Sequence, residues 1–250
     1  MDELARDELE RYDRQMMIRG FGKEGQEKLR RAKVFIAGAG GLGSPIAMYL
    51  AAAGVGTIRI VDHDTIELSN LNRQVLHWDE NISMRKVDSA AEKIKKLNPR
   101  VKVEAIAETV TEANVSQLVG DFDLVVDALD NLPTRYLLNK AALDKNIPFF
   151  HGAVYGFEGR VMTIIPGQTA CLFCVYHGVT PPKEKFPVIG VTPGVIGCIQ
   201  ATEVIKHIVG LGELLTNKLL MFDGLNMKFT EFKVKKDPNC KHCSHLVRKE

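Results

Sequence analysis

The segment that most restricts how this chain folds is KVFIAGAGGLG, residues 33–43. KVFIA is a short apolar run, the pattern of a parallel strand buried on both faces. Gly38, Gly40 and Gly43 then give the spacing G-x-G-x-x-G. Ser44-Pro45 reads as a helix start, with Ser as the cap and Pro suited to the first turn, and the helix through IAMYLAAA stops at Gly54. TIRIVD (57–62) is the next strand, which completes a strand–glycine loop–helix–strand unit. The alternation continues with strands at 102–107, 123–129 and 147–154, a short helix after Thr111 and a helix from Pro133 through Asp144. Such alternation implies an α/β fold with a doubly wound, Rossmann-like and mostly parallel sheet.

The flanks read differently. Residues 3–19 look helical and charged, within a helical arm at 1–31. Residues 159–165 and 228–234 alternate in polarity, as antiparallel extensions of the sheet would. The stretch 178–194 is rich in Pro and Gly and is expected to be a long, mobile loop before a helix at 195–209. The 250 residues fit one large nucleotide-binding domain.

The glycines allow a tight turn and close backbone approach to phosphate, and the following helix start offers aligned N–H donors. Asp62 ends the second strand, where a carboxylate can accept from ribose hydroxyls. This fingerprint usually marks a dinucleotide site, but a nicotinamide ring needs an apolar slot. Here the run DHDTIELSNLNRQ (62–74) supplies Asp64, Ser69, Asn70, Leu71, Asn72, Arg73 and Gln74, and Lys86 follows. A triphosphate needs the charge and forked hydrogen bonds of Lys and Arg, so the cluster favours ATP. Asp127 and Asp130 lie at the C-terminal end of strand 123–129, where ligands sit in open α/β sheets. A carboxylate there can hold Mg²⁺, although Asp130-Asn131 can equally cap the next helix.

Cys171-Leu-Phe-Cys174 and Cys240-Lys-His-Cys243 are two C-x-x-C knuckles. Each offers two thiolates, and together they make a closed tetrahedral site for a structural Zn²⁺. A disulfide or redox pair is the alternative, and His242 could stand in for one cysteine. Cys198 is placed in the first turn of helix 195–209, where a helix dipole could activate it, but it lies among apolar residues and reads as core. The 33 basic and 31 acidic residues leave a formal charge of +2, which gives no nucleic-acid or membrane surface. The N-terminus MDELARDELERYDRQ has no apolar leader, so the chain is expected in the cytoplasm with reduced thiols.

RYDRQ (11–15), GAGGLG, VDHDTIELSNLNRQ, Lys86, DALDN (127–131) and the paired C-x-x-C together resemble the ThiF/MoeB/HesA family, bacterial and archaeal relatives of the ubiquitin-activating enzymes. The resemblance runs from residue 11 to 243. It implies an adenylyltransferase that activates the C-terminal glycine carboxylate of a ubiquitin-like sulfur carrier ending in Gly-Gly. It also implies that the glycine loop with Gly41 lines ATP and that Asp62 holds the ribose. Asn70, Arg73 and Lys86 then contact the phosphates with Gln74 nearby, and Asp130, beside Asn131, binds Mg²⁺. By the same resemblance Arg14 reaches the triphosphate of the other subunit in a homodimer. Some relatives carry a cysteine in the loop before the helix corresponding to 195–209, and residues 178–194 contain none. That favours an enzyme that only adenylates, with a separate sulfur donor making the thiocarboxylate.

Three rival readings stand beside this one, among them a divergent family member that uses the same adenylation step on another peptide or RNA carboxylate. Tyr136-Leu-Leu-Asn-Lys140 matches the Y-x-x-x-K of NAD-dependent short-chain dehydrogenases, without a serine to complete the set. A non-catalytic scaffold would be expected to have lost Arg73, Lys86 or Asp130, and the chain keeps all three.

Overall fold

The computed structural model describes residues 3–177, 179 and 186–246. It opens with α1 (Arg6–Arg11), α2 (Asp13–Met16) and α3 (Gly22–Arg31). The single helix expected over 3–19 is broken at Tyr12. That residue leaves helical geometry, and its buried hydroxyl accepts from Asn98 Nδ2 at 2.8 Å. Gln15 donates to the carbonyl of Ala53 at 2.9 Å. These two anchors hold α2 against the body and leave Asp13 and Arg14 exposed.

The glycine unit follows as β1 (Lys33–Ala37), α4 (Gly43–Ala53) and β2 (Thr57–Val61). Then come α5 (Lys86–Leu97), β3 (Lys102–Ile106), α6 (Val115–Val119), β4 (Leu124–Asp127), α7 (Leu132–Lys145) and β5 (Phe149–Tyr155). The chain continues through β6 (Glu158–Ile164), α8 (Leu172–Tyr176), α9 (Val191–Val209), β7 (Lys218–Asp223) and β8 (Lys228–Lys233).

The strands form one eight-stranded sheet in the order β3-β2-β1-β4-β5-β6-β7-β8. From β3 to β5 all pairings are parallel, and from β5 to β8 all are antiparallel. The chain winds outward from β1 to β3 and returns to β4, so the strand order reverses between β1 and β4. That reversal opens a crevice at the carboxyl ends of these two strands, where ligands of open α/β sheets sit. Both faces of the parallel half are covered, as its continuous apolar strands require. Val34, Ile36, Ile58 and Ile60 join the core under α4, α5 and α9. Phe35, Ala37, Val61 and Val125 join the opposite core under α6, α7 and α8. Each such fully buried Val, Ile or Phe side chain stabilises the fold by about 1.5–3 kcal/mol before entropy is counted.

Three features differ from the sequence reading. Ser44 does not cap α4: the helix starts at Gly43, and the Ser44 hydroxyl donates back to Gly40 O at 2.7 Å. Helix α9 begins at Val191, four residues before the expected start, and takes in Pro193 and Gly194. Pro is tolerated there because the first-turn N–H groups lack helical partners in any case. Cys198 therefore sits well inside α9, away from the positive end of its dipole. The expected mobile loop is only partly within the described residues, since 178 and 180–185 fall outside them. Its later part is held, with Gly156 N donating to Pro187 O at 2.7 Å and a bridge between Gly156 and Val188. Helices α5 and α8 and strand β7 were not read from the sequence.

Candidate functional site

The glycine loop leaves β1 at Gly38, whose φ of +102° is open to glycine without strain. Gly38 and Gly43 are glycines for packing: a Cβ on Gly38 would meet Ala128 O at 2.5 Å, and one on Gly43 would meet Gly38 O at 2.0 Å. Gly40 and Gly41 instead remain partly exposed at the mouth of the crevice. The four expected glycines thus divide into two that close the turn and two that a ligand can approach.

Asp62, just beyond β2, locks this loop. Its Oδ2 accepts from Ala39 N at 2.8 Å and its Oδ1 from Asp64 N at 2.9 Å. Each oxygen keeps lone-pair capacity for a further donor. His77, which sequence reasoning missed, holds the loop from below. Its ring nitrogens face Ala39 O at 2.8 Å and Ser89 Oγ at 3.0 Å, and burial depresses its pKa. A histidine in the last turn of a polar loop carried no signal in the sequence.

The run after Asp62 folds over the crevice. Asn70 closes a short 3-10 turn, Leu68–Asn70, and its Oδ1 accepts from Glu67 N at 3.1 Å, which leaves its amide nitrogen to donate elsewhere. Ser69 is exposed and its hydroxyl donates to Glu67 at 3.2 Å. Leu71 is half-buried and Asn72 exposed. Arg73 is held by Ser69 O at 2.9 Å and Asn72 Oδ1 at 3.0 Å, both through Nη1, so the rest of its fork stays open. The start of α9 braces this run: a Cβ on Gly190 would strike Asn72 O, and Pro193 lies against Gly41.

Two observations speak directly for a polar ligand here. Gln74 is buried, its amide lies beside Gly40, and its Oε1 has no hydrogen-bond partner. An unsatisfied buried acceptor costs about 1–3 kcal/mol, a cost that a donating ligand removes. Lys86 begins α5 almost wholly buried, with its ammonium 2.7 Å from Asp64 Oδ2. The backbone N–H of Lys86 also donates to Asp64 O at 3.0 Å, so strand end and helix start are tied together. A desolvated cation with a single half-exposed partner is placed to meet further negative charge.

Across the crevice, the two carboxylates at the end of β4 separate. Asp127 has no exposed surface and is engaged by His151 Nδ1 at 2.7 Å and Arg135 Nε at 3.4 Å. It is therefore not available to an ion, which corrects the expectation that either aspartate could serve. Asp130 is exposed, and its one contact among the described residues is Asn131 Nδ2 at 3.5 Å. Asn131 is the cap of α7, accepting from Thr134 N at 3.0 Å. The two alternatives in Asp130-Asn131 are thus divided between neighbours, with the cap on Asn131 and a free carboxylate on Asp130. Arg14 stands apart: it is exposed and makes no hydrogen bond or ion pair among the described residues.

The four knuckle cysteines meet on the other side of the sheet. All four Sγ atoms lie within 4.8 Å of one another, with the closest pairs at 3.5, 3.6 and 3.8 Å. Four thiolates around one tetrahedral ion with bonds of about 2.3 Å stand about 3.8 Å apart. The spacing fits a shared ion and is too long for a disulfide, and all five cysteines are free. Burial pushes the Cys171 thiol up to about 12. Burial also raises Cys240, but N–H donors of His242 and Cys243 outweigh it and bring that thiol below its usual value. His242 is not in the cluster; it stacks on Phe173 at 4.4 Å between centroids. Partial burial raises the Cys198 thiol as well. The dehydrogenase-like pair is spent on structure, since the Tyr136 hydroxyl donates to Tyr176 O at 2.8 Å and Lys140 pairs with Asp144 at 2.7 Å.

A family model described as the ThiF family matches residues 12–242. A SAMP-activating enzyme E1 from Haloferax volcanii is 43% identical over 241 residues, which are 94% of this chain and 89% of that protein. A sulfur carrier protein adenylyltransferase from Thermus thermophilus is 41% identical over 249 residues, 96% of this chain and 92% of that one. A maize protein, adenylyltransferase and sulfurtransferase MOCS3-1, is 40% identical over 248 residues, but this chain spans only 53% of its length. Among solved structures, E. coli MccB with ATP superposes with a TM-score of 0.86 at 25% identity, over 94% of this chain and 75% of that one.

Proposed function

Because this chain belongs to the ThiF family, we propose that it uses ATP to adenylate the C-terminal glycine carboxylate of a ubiquitin-like sulfur carrier ending in Gly-Gly, releasing pyrophosphate. The observation that carries this reading is the crevice at the strand reversal. There a glycine loop after β1, with the buried and unsatisfied Gln74 beside Gly40, the cations of Arg73 and Lys86 in and after the run that follows β2, and the exposed carboxylate of Asp130 after β4 gather at the carboxyl ends of neighbouring strands. Two relatives matched over most of their length, at 43% and 41% identity, are named a SAMP-activating enzyme E1 and a sulfur carrier protein adenylyltransferase, which supports a carrier protein as the substrate. MccB, in a solved complex with N-formylated MccA, is more distant at 25%. That difference favours the carrier over another peptide.

The residues have separable tasks. Gly40 and Gly41 admit the phosphates to the start of α4, where helix N–H groups favour anions. Asp62 accepts from the ribose, and Gln74 Oε1 gains a donor. Ser69, Asn70, Leu71 and Asn72 shape the wall, and Asn70 Nδ2 donates to a phosphate. Arg73 and Lys86 take up the charge that moves onto pyrophosphate as the carboxylate attacks the α-phosphorus. Asp130, exposed and without an ion-pair partner among the described residues, would hold Mg²⁺ through the carboxylate oxygens that this ion prefers, and the ion would supply positive charge against the triphosphate. Positioning and cationic stabilisation then do most of the work, as in other phosphoryl-type transfers. Pyrophosphate exchange into ATP should therefore need both Mg²⁺ and a Gly-Gly-ending carrier; exchange at full rate without the carrier would defeat this assignment.

Tyr12 and Gln15 anchor α2 and Arg14 between them is exposed, which suits service to a second subunit in a homodimer. No cysteine lies in 178–194, and Cys198 stands well inside α9 with its thiol raised by partial burial, so sulfur would come from a separate donor protein. The buried knuckle thiols suit a reducing, cytoplasmic setting. No helix among the described residues is long and apolar enough to cross a membrane.

Cys171, Cys174, Cys240 and Cys243 would hold one structural Zn²⁺, with no coordination position left open for chemistry. Metal analysis should find about one zinc per chain. Because binding must displace protons from raised thiols such as Cys171, zinc should be lost progressively as pH falls. Cys240→Ser should lose the metal and lower the melting temperature, weakening folding more than it weakens nucleotide binding. Metal-free protein with two disulfides would refute the site.

A further inference from the structure

Behind the crevice, buried polar groups link β4 to the cysteine knuckle in a single direction. Asp127 Oδ1 accepts from Leu129 N at 3.1 Å, and Arg135 donates through Nη2 to Leu129 O and, at 3.0 Å, to Gly152 O. Both backbone polar groups of Leu129 are therefore fixed, one by Asp127 and the other by the arginine that neutralises it. On the other side, Asn131 is fixed as the cap of α7. Asp130 is bracketed between them, with its own carboxylate free in solvent.

The tautomer of His151 follows from its neighbours. Nδ1 faces the Asp127 carboxylate at 2.7 Å, so it carries the proton, and Nε2 is left as an acceptor. The group facing Nε2 is the Tyr176 hydroxyl at 3.4 Å, with the rings edge to face at 5.5 Å. Tyr176 must donate there, since Nε2 carries no proton. The bonds thus run from Tyr176 through His151 to Asp127. Tyr176 is the last residue of α8, the helix that carries Cys174 and is capped by Cys171. A full carboxylate at a dry strand end is costly unless it is paired and hydrogen-bonded, and this one is both.

From this geometry we infer that Asp127 is a positioning residue for Asp130, and that His151 and Tyr176 make the cysteine knuckle its support. The inference rests on the reading of Asp130 as a metal ligand given above. Asp127 fixes the backbone before Asp130, so its loss should let the Asp130 carboxylate wander without emptying the nucleotide site.

The test is direct metal binding. Mn²⁺ is titrated into protein saturated with α,β-methylene-ATP, and free Mn²⁺ is read by electron paramagnetic resonance. Asp127→Asn should weaken Mn²⁺ binding about 10-fold, the usual effect of losing a group that orients a metal ligand. Nucleotide affinity without metal and the metal content of the cysteine cluster should not change. In an Asp130→Ala background, Asp127→Asn should add nothing. Tyr176→Phe, which removes a single hydroxyl, should weaken Mn²⁺ in the same direction by a smaller factor. It carries the test alone if Asp127→Asn does not fold. Full Mn²⁺ affinity in the folded variants, or a further loss on top of Asp130→Ala, would overturn the positioning role. If Asp130→Ala itself binds Mn²⁺ normally, the metal reading has failed and the inference falls with it. A loss in Asp130→Ala with none in Asp127→Asn or Tyr176→Phe would defeat the inference alone.

Discussion

Lys86→Ala and Arg73→Ala are each expected to lower carrier-dependent pyrophosphate exchange by about 10²–10³. Losing one well-placed cation costs roughly 2–4 kcal/mol of transition-state stabilisation. Lys86 should stand at the upper end, because its ammonium is buried and therefore poorly screened. Its partner in the free protein is Asp64, a half-exposed carboxylate that a triphosphate can displace. Arg73 is already oriented by Ser69 O and Asn72 Oδ1, so little side-chain entropy is lost when its remaining N–H groups meet phosphate. Arg73→Lys should recover only part of the rate, since an ammonium cannot reproduce the fork. Both variants should keep the melting temperature within a few degrees, because neither side chain belongs to the apolar core. Undiminished exchange in both would mean that the triphosphate lies elsewhere.

Arg14→Ala and Asp130→Ala should each be nearly inactive alone and should complement one another when mixed. The physical logic is that of an arginine finger: a planar cation neutralises phosphate charge from across an interface. A two-fold dimer then holds two equivalent composite sites. After subunit exchange of equal amounts, half the dimers are mixed, and each mixed dimer rebuilds one of two sites, so activity should approach about a quarter of wild type. Tyr12 and Gln15 fix α2 to the body, and Arg14 between them is exposed. A mixture as inactive as its parents, with mixed dimers confirmed by mass spectrometry, would place Arg14 in its own chain or outside the reaction.

Much of this architecture was legible because its signals are local. The KVFIA strand matches β1 residue for residue, and Gly54 ends α4 in the left-handed conformation that glycine tolerates. The cysteine knuckles, far apart in sequence, meet as their residue type and spacing require. What escaped depends on tertiary contacts. Helix α5 is highly charged, and its apolar side is defined by Val87, Ala90 and Ile94 only once they pack beneath α4. Strand β7 carries the plain run KLLMFD, which a short helix would also allow. The division of labour between Asp127 and Asp130 could not be read at all, because it depends on His151 from β5 and Arg135 from α7. One signal was nevertheless present: His151 stands inside the apolar run IPFFHGAV, where a buried imidazole needs a partner.

The bond that this account places at the centre of the reaction joins a carrier carboxylate oxygen to the α-phosphorus of ATP. The direct test is to label the C-terminal carboxylate of a Gly-Gly-ending carrier with heavy oxygen, incubate it with enzyme, ATP and Mg²⁺, and cleave the activated carrier with a thiol. If the carboxylate attacks phosphorus, one heavy oxygen leaves with the AMP, and mass spectrometry of that AMP shows it. AMP that is formed without the label would contradict carboxylate adenylation, and with it the function assigned to this site.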